Sequence, residues 1–331
     1  MKKQIRNTWI ATAICLVLLL ALVGCAAAPD DAPEITGATT WSFDAATGEL
    51  TISGKGRMDD YTVYTLDDLS FTHVDDRPWK DHVRAIRSVR IEKGVTSIGS
   101  HAFEECAALT QISLPSTLEC IGKRAFFDTA ITTVEIPKSV TRIEEGAFKF
   151  SKLTTVTFAK GSRLQSIGDG AFSSCRLTSI VIPDRVTELG KGVFGFNKSL
   201  TSITLPKNLT KLPSHLLQFC SSLTTVELPS GITEIEDSAF ASCSALSSIT
   251  LPDGVTKIGW RVFECCPNLT EIHLPASLTS IGPYAFERCT GLTAVTVADG
   301  GGVDVDKTAF IGCPIANEKD FIFRDTSTDA E

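Results

Sequence analysis

The chain has 331 residues, 43% of them hydrophobic, which is enough to bury a long apolar core. With 39 Asp+Glu against 31 Lys+Arg it carries a formal charge of −8, a balance that repels phosphate backbones and argues against a nucleic-acid partner. It holds 11 cysteines but no CxxC pair, so a zinc site is not expected.

Lys2, Lys3 and Arg6 precede an apolar run over residues 9–23, too short to span a bilayer but suited to the apolar region of a secretory leader. The run ends in Leu22-Val23-Gly24-Cys25, which resembles the bacterial lipobox. That resemblance implies that residues 1–24 are a lipoprotein signal peptide and that Cys25 becomes the lipidated first residue. Each buried acyl methylene contributes about 0.8 kcal/mol, so two or three chains hold a protein to a membrane that it does not cross. Residues 25–34, small and proline-broken, read as a tether.

Residues 35–80 read as an N-terminal β cap followed by an acidic loop. The alternation on both sides of Ala46-Thr47-Gly48 predicts a hairpin, and an atypical first unit is what a solenoid needs to cover its open end. In the loop, Asp59-Asp60, Asp67-Asp68 and Asp75-Asp76 are interleaved with Tyr61, Tyr64, Phe71 and Trp79. No DxDxDG arrangement concentrates the carboxylates, so no metal is expected; Trp79 is expected to seal the first repeat. Tyr61 and Tyr64, read as exposed, form an alternative contact site.

Over residues 81–315 a unit of about 23 residues recurs ten times. Phe103, Phe126, Phe148, Phe172, Phe194, Phe240, Phe263, Phe286 and Phe310 mark its register, and Leu217 fills the missing place. The expected architecture is a leucine-rich repeat solenoid of about ten turns of 22–24 residues, each with a parallel strand and a short convex strand or helical turn. Strand cores are expected at 86–91, 109–114, 131–136, 153–158, 177–182, 200–205, 223–228, 246–251, 269–274 and 292–297, with the first, fourth and sixth residues facing inward. Residues 316–331 read as a C-terminal cap or tail.

The repeat LPxxVTxIGxxAFxxCxxLTxI, preceded by WSFDAATGELTISGKGRM and PW, resembles the BspA-like leucine-rich repeat family of bacterial surface proteins, from about Trp41 to Cys313. The resemblance implies an anchored surface protein, some members of the family being implicated in adhesion. It carries over no catalytic residue, because the shared motif is a packing motif.

Seven cysteines fall three residues after the core Phe or Leu, where Thr129, Ser151 and Asn197 stand in other turns. Small, weakly hydrogen-bonding side chains there suit a buried ladder of free thiols facing turn carbonyls, with disulfides the alternative, because neighbouring turns about 5 Å apart lie within the Cα range of that bond. The five histidines occupy unrelated repeat positions, and there is no HExxH, GxSxG or phosphate-binding loop, so the chain is read as non-enzymatic and without cofactors.

The remaining candidate is surface. The outward strand positions form a carpet of Thr and Ser, interrupted by Arg87, Arg90, Gln111, Glu135, Glu227, Glu271 and His273, which are the expected ligand-binding residues. Trp260 and Tyr284 lie on a different side as a small contact patch. The chain is therefore read as a monomeric, lipid-anchored adhesion or interaction module of the bacterial envelope. Its expected partner is an extracellular or host-surface protein, and it meets the membrane through the N-terminal lipid only. A passive envelope spacer and a carbohydrate-binding component are the alternatives.

Overall fold

The computed structural model describes residues 39–65, 73–298, 303–315 and 323–324. The expected leader, Cys25, the expected tether, the middle of the acidic loop and most of residues 316–331 lie outside the described residues.

The first described element is the expected hairpin, Thr40–Asp44 antiparallel to Glu49–Ser53. Asp44 holds its turn by accepting from the Ala46 N–H at 2.9 Å and the Thr47 hydroxyl at 2.8 Å. Gly48 is required there: φ is +75°, and a Cβ would lie 2.7 Å from the Ala85 carbonyl. Glu49–Ser53 then pairs in parallel with Ser88–Ile91, so the hairpin feeds its hydrogen bonds directly into the first repeat.

From there the chain winds a parallel-strand solenoid of about nine turns with almost no helix. Three hydrogen-bond ladders run along it, one on each side of the coil. The first, or strand side, holds the predicted strands, in which Leu269, Ile272 and Leu274 point inward while Glu271 and His273 stay exposed. Most of the predicted strand cores survive in shortened form. Residues 223–228 keep a single bridge, Thr204 to Glu227, and 246–251 form no strand, so this side is built of separate short sheets.

The second side carries two-residue strands such as Cys120–Ile121 and Arg142–Ile143, paired in two six-stranded sheets. The Ile-Gly step makes this possible. The Gly122 N–H donates to the Ile98 carbonyl at 2.9 Å, and a Cβ on Gly122 would lie 2.6 Å from that same oxygen. The two sheets part between Glu188–Leu189 and Lys211–Leu212. At that turn the step reads Leu212-Pro213, and proline has no N–H to donate back across the gap.

The third, or turn side, is not helical. Residues two before and two after nearly every core Phe or Leu adopt left-handed φ, from His101 (60°) and Glu105 (58°) to Tyr284 (57°) and Arg288 (58°). Alternating left- and right-handed residues aim every second N–H at the next turn: Phe103 donates to Ala125, Phe126 to Ala147, Phe148 to Ala171 and Phe263 to Ala285, at 2.7–2.8 Å. On the strand and second sides the donors mostly look back instead, as Thr110 does to Arg87.

Inside, the core rings form a stack. Phe103, Phe126, Phe148, Phe172 and Phe194 follow one another at 5.1–5.9 Å between centroids, and Phe240, Phe263, Phe286 and Phe310 at 5.0–5.4 Å, with buried Leu217 between the two runs. Trp79 extends the stack, 5.6 Å from Phe103. At that end the first turn has no predecessor, and three donors stand in for one: the Tyr61 N–H to Ser100 O (2.9 Å), the Trp79 indole N–H to Ala102 O (3.0 Å) and the Arg77 guanidinium to Glu104 O (2.6 Å).

Candidate interaction surfaces

The strand side carries the residues singled out from the sequence. Arg87, Arg90, Gln111, Glu135, Glu227, Glu271 and His273 are all exposed and all on this side. The structure spreads them along the axis and does not gather them. Arg87, Arg90 and Gln111 lie at the N-terminal end, where Arg90 pairs with Glu49 at 2.6 Å. Glu271 and His273 lie at the other end, where His273 Nδ1 meets the Thr296 hydroxyl at 2.7 Å. Glu227 sits in a groove of about 600 Å³ that opens where the ladder lapses between residues 225–230 and 248–254. A second groove of about 480 Å³ opens between residues 155–162 and 179–183.

The threonine carpet is less available than the sequence suggests. The hydroxyls of Thr110, Thr154, Thr201 and Thr293 each donate to the carbonyl one turn back, at 3.0–3.4 Å. These side chains reinforce the ladder they stand on.

Tyr61 is corrected. It is half-buried, edge-on to Trp79 at 5.1 Å, and burial together with Asp59, Asp76 and Asp60 pushes its phenol up to about 12. It belongs to the covering of the first turn and is not a free loop side chain. The backbone of Tyr64 lies in the ribbon Val63–Thr65, antiparallel to His73–Asp75; its side chain is outside the described set.

The buried cysteines form a structural row. The thiols of Cys175, Cys220, Cys243, Cys266, Cys289 and Cys313 each donate to the carbonyl of the preceding turn's core residue at 2.9–3.3 Å, and Asn197 makes the same contact with its amide at 2.8 Å. Burial pushes the thiols of Cys175, Cys220 and Cys266 up to about 12, the opposite of what a nucleophile or metal ligand needs. No cluster of His, Cys, Asp and Glu fit to hold a metal occurs among the described residues.

The turn side holds what the sequence reading missed. Phe150, Phe196 and Phe219 are exposed, and each occupies a left-handed position two residues after the core ring. Phe196 stacks on Phe219 at 4.8 Å, Phe127 meets Phe150 edge-on at 5.3 Å, and the Arg124 guanidinium lies 3.6 Å over Phe127. The signal was present in the aligned repeats: the same position holds Asp128, Ser174 and Ser242 in other turns. Further along, Arg261 lies over both Trp260 (4.4 Å) and Tyr284 (5.3 Å), so this expected patch is an aromatic clamp on a guanidinium. No helix among the described residues is long and apolar enough to cross a membrane.

Among solved structures, a leucine-rich repeat protein from Bacteroides ovatus is similar with TM-score 0.51 and 22% identity, over 84% of this chain and 79% of that one. A leucine rich cell surface protein from Faecalibacterium prausnitzii is similar at 22% identity and TM-score 0.43, over 86% and 94% of the two chains. The pneumococcal vaccine antigen PcpA is similar at 19% identity and TM-score 0.46, over 84% and 88%. No curated protein matches the chain. The family model described as BspA type leucine rich repeat region matches in six copies over residues 81–198 and 193–317. Together with the ladder geometry and the ring stack, that match shows that the chain belongs to the BspA-type leucine-rich repeat family.

Proposed function

We propose that this chain is a non-enzymatic, lipid-anchored protein of the bacterial envelope that displays its solenoid outward and docks a protein outside the cell on its strand side. Leucine-rich repeat solenoids are in general protein-interaction scaffolds, and this one presents an extended exposed strand face. The observation that carries the docking reading is the lapse of the ladder around Glu227, which leaves a groove with exposed side chains on both walls. The anchoring part rests on the Leu22-Val23-Gly24-Cys25 sequence.

One observation favours a second reading, a passive spacer: many hydroxyls of the strand side are bonded back to the ladder and offer little to a partner. A screen of the chain against matrix proteins and bacterial surface proteins separates the two. Saturable binding that is lost in Glu227→Ala or in the pair Glu271→Ala and His273→Ala supports strand-side docking. Failure with every protein supports the spacer. Protease added to intact cells, with lysed cells as control, tests outward display, and Cys25→Ser tests the anchor by releasing the chain from the membrane fraction.

A further inference from the structure

Between the rings of the turn side lies a trough of about 330 Å³, and its origin is legible turn by turn. The position two residues before the core ring is left-handed in nearly every turn and elsewhere carries a side chain: His101, Arg124, His215, Ser238, Arg261 and Tyr284. In three consecutive turns it is glycine: Gly146, Gly170 and Gly192. The missing side chains form the floor. A Cβ on Gly170 would meet only Lys149 and Ser173 side-chain atoms at 3.7 Å, an ordinary contact, so the space is open and not demanded by packing.

The walls have a definite chemistry. Phe127 stands at one end, backed by Arg124, and Phe196 lines the far side. Two carboxylates also line it: Glu145 pairs with Lys123 at 2.8 Å, and Asp169 accepts the backbone N–H of Lys191 at 2.7 Å while keeping its charge. The Lys149 and Lys191 ammonium groups form no ion pair among the described residues, although the protein as a whole is acidic. His215 closes the far end, and its buried Nδ1 has no hydrogen-bond partner among the described residues.

We propose that this trough is a binding site for an acidic glycan, a sugar chain bearing uronic or sialic acid carboxylates. The cationic ammonium groups match a carboxylate, the Gln218 amide matches hydroxyls, and the exposed Phe196 matches the apolar flank of a sugar ring. An extended peptide fits less well, for a reason specific to this side. The backbone lining the trough is spent: Gly146, Gly170 and Gly192 donate to Asp169, Lys191 and Ser214 at 2.8–2.9 Å, and their own carbonyls accept from Lys149, Ser173 and Gly195. A peptide main chain finds no ladder to join, whereas sugar hydroxyls need only side chains. This site is separate from the strand-side groove, and neither depends on the other.

The test measures binding of hyaluronan, polysialic acid and polygalacturonate oligosaccharides to the full chain by calorimetry, with neutral dextran and poly-glutamate as comparisons. Saturable binding of at least one acidic glycan is expected, with none to dextran and none of comparable strength to poly-glutamate. Gly170→Tyr fills the trough and is expected to weaken binding roughly tenfold or more, while Gly170→Ala, with the same backbone demand and no bulk, retains it. Gly170→Tyr is expected to fold, because Tyr284 and Arg261 already occupy the equivalent position, and its melting curve checks this. Lys149→Gln with Lys191→Gln is expected to weaken binding roughly tenfold and to flatten its salt dependence. No binding of any acidic glycan, equal binding of poly-glutamate, or binding undiminished in Gly170→Tyr overturns the proposal. Strand-side variants such as Glu227→Ala are expected to leave glycan binding unchanged, and a loss there also overturns it.

Discussion

The strand side and the turn side are built from the same repeat, yet they solve the problem of stacking in opposite ways. On the strand side extended residues donate back to the preceding turn, the ladder breaks into short sheets, and threonine hydroxyls patch it from outside. On the turn side alternating left- and right-handed residues donate forward, and the ladder continues through Pro213 and Leu217, where the second side breaks. A ladder that tolerates such irregular turns leaves its outward positions free to vary. On the turn side the chain departs from its own repeat at Phe150, Phe196 and Phe219, and departures of that kind point to surface function more than to folding.

The comparison can be broken most forcefully from within. Phe240→Ala removes a fully buried ring from a stack shared by neighbouring turns, and is expected to destabilise the chain by about 3–5 kcal/mol in chemical denaturation. Because each turn contacts only its neighbours, hydrogen exchange is expected to rise first on all three ladders of the adjacent turns, not on one side alone. A variant of ordinary stability would mean that the ladders, and not the rings, hold the coil together.

Arg77→Ala comes next. Arg77 is buried, bonds the exposed end of the turn-side ladder at Glu104 O and pairs with Asp75 at 2.5 Å. Losing it leaves the Glu104 carbonyl without its donor and takes the guanidinium partner from Asp75, with an expected penalty of about 3 kcal/mol seen as a lower urea midpoint. Fraying is expected to start at the first turn and leave the C-terminal turns protected.

How much of this was legible beforehand follows the same division. The ring stack, the inward positions of the strands, the hairpin and the thiol row all depend on residues that recur with the period, so Phe263 or Cys266 could be placed from its neighbours alone. The strand-side gaps could not, because residues 246–251 satisfy the strand pattern as well as 269–274 do, and what fails is the ladder beyond the Ser247 N–H to Thr224 O bond. The left-handed turn-side ladder was also hidden. Positions held by His, Arg, Ser and Tyr do not advertise positive φ, which is normally written in glycine and asparagine. Tyr61 was misplaced because a tyrosine among aspartates reads as exposed, whereas Trp79 gives it a surface to pack on.

The thiol row supplies a pH test that leaves both outer sides untouched. Folding holds the protons on Cys175, Cys220 and Cys266 up to about 12, while the unfolded chain begins to lose them near the ordinary value of 9.0. The folded state thus binds more protons above that value, so this contribution is complete below pH 9 and declines as pH rises from 9 toward 12. The melting temperature is expected to fall between pH 8.5 and pH 10. Replacing the three cysteines by serine, which already stands in the row as Ser151, is expected to flatten that fall. An unchanged slope would assign the alkaline loss to other groups.

The smallest expected effect on stability tests the turn side most sharply. Phe196→Ser and Phe219→Ser remove exposed rings from left-handed positions, and serine already occupies the equivalent places at 174 and 242. Serine has a Cβ and meets the same left-handed demand as phenylalanine, so the backbone cost is unchanged and the loss is chiefly the contact of the two rings at 4.8 Å, worth about 0.5–1.5 kcal/mol. The double variant is therefore expected to stay within about 1.5 kcal/mol of the parent in urea denaturation. That result, set against the loss at Phe240, would show that two stacked phenylalanines one side chain apart from the core contribute nothing the fold requires, which is the expectation for rings kept for an external ligand. A loss approaching that of Phe240→Ala would instead make them part of the packing, and the contrast between the two sides would collapse.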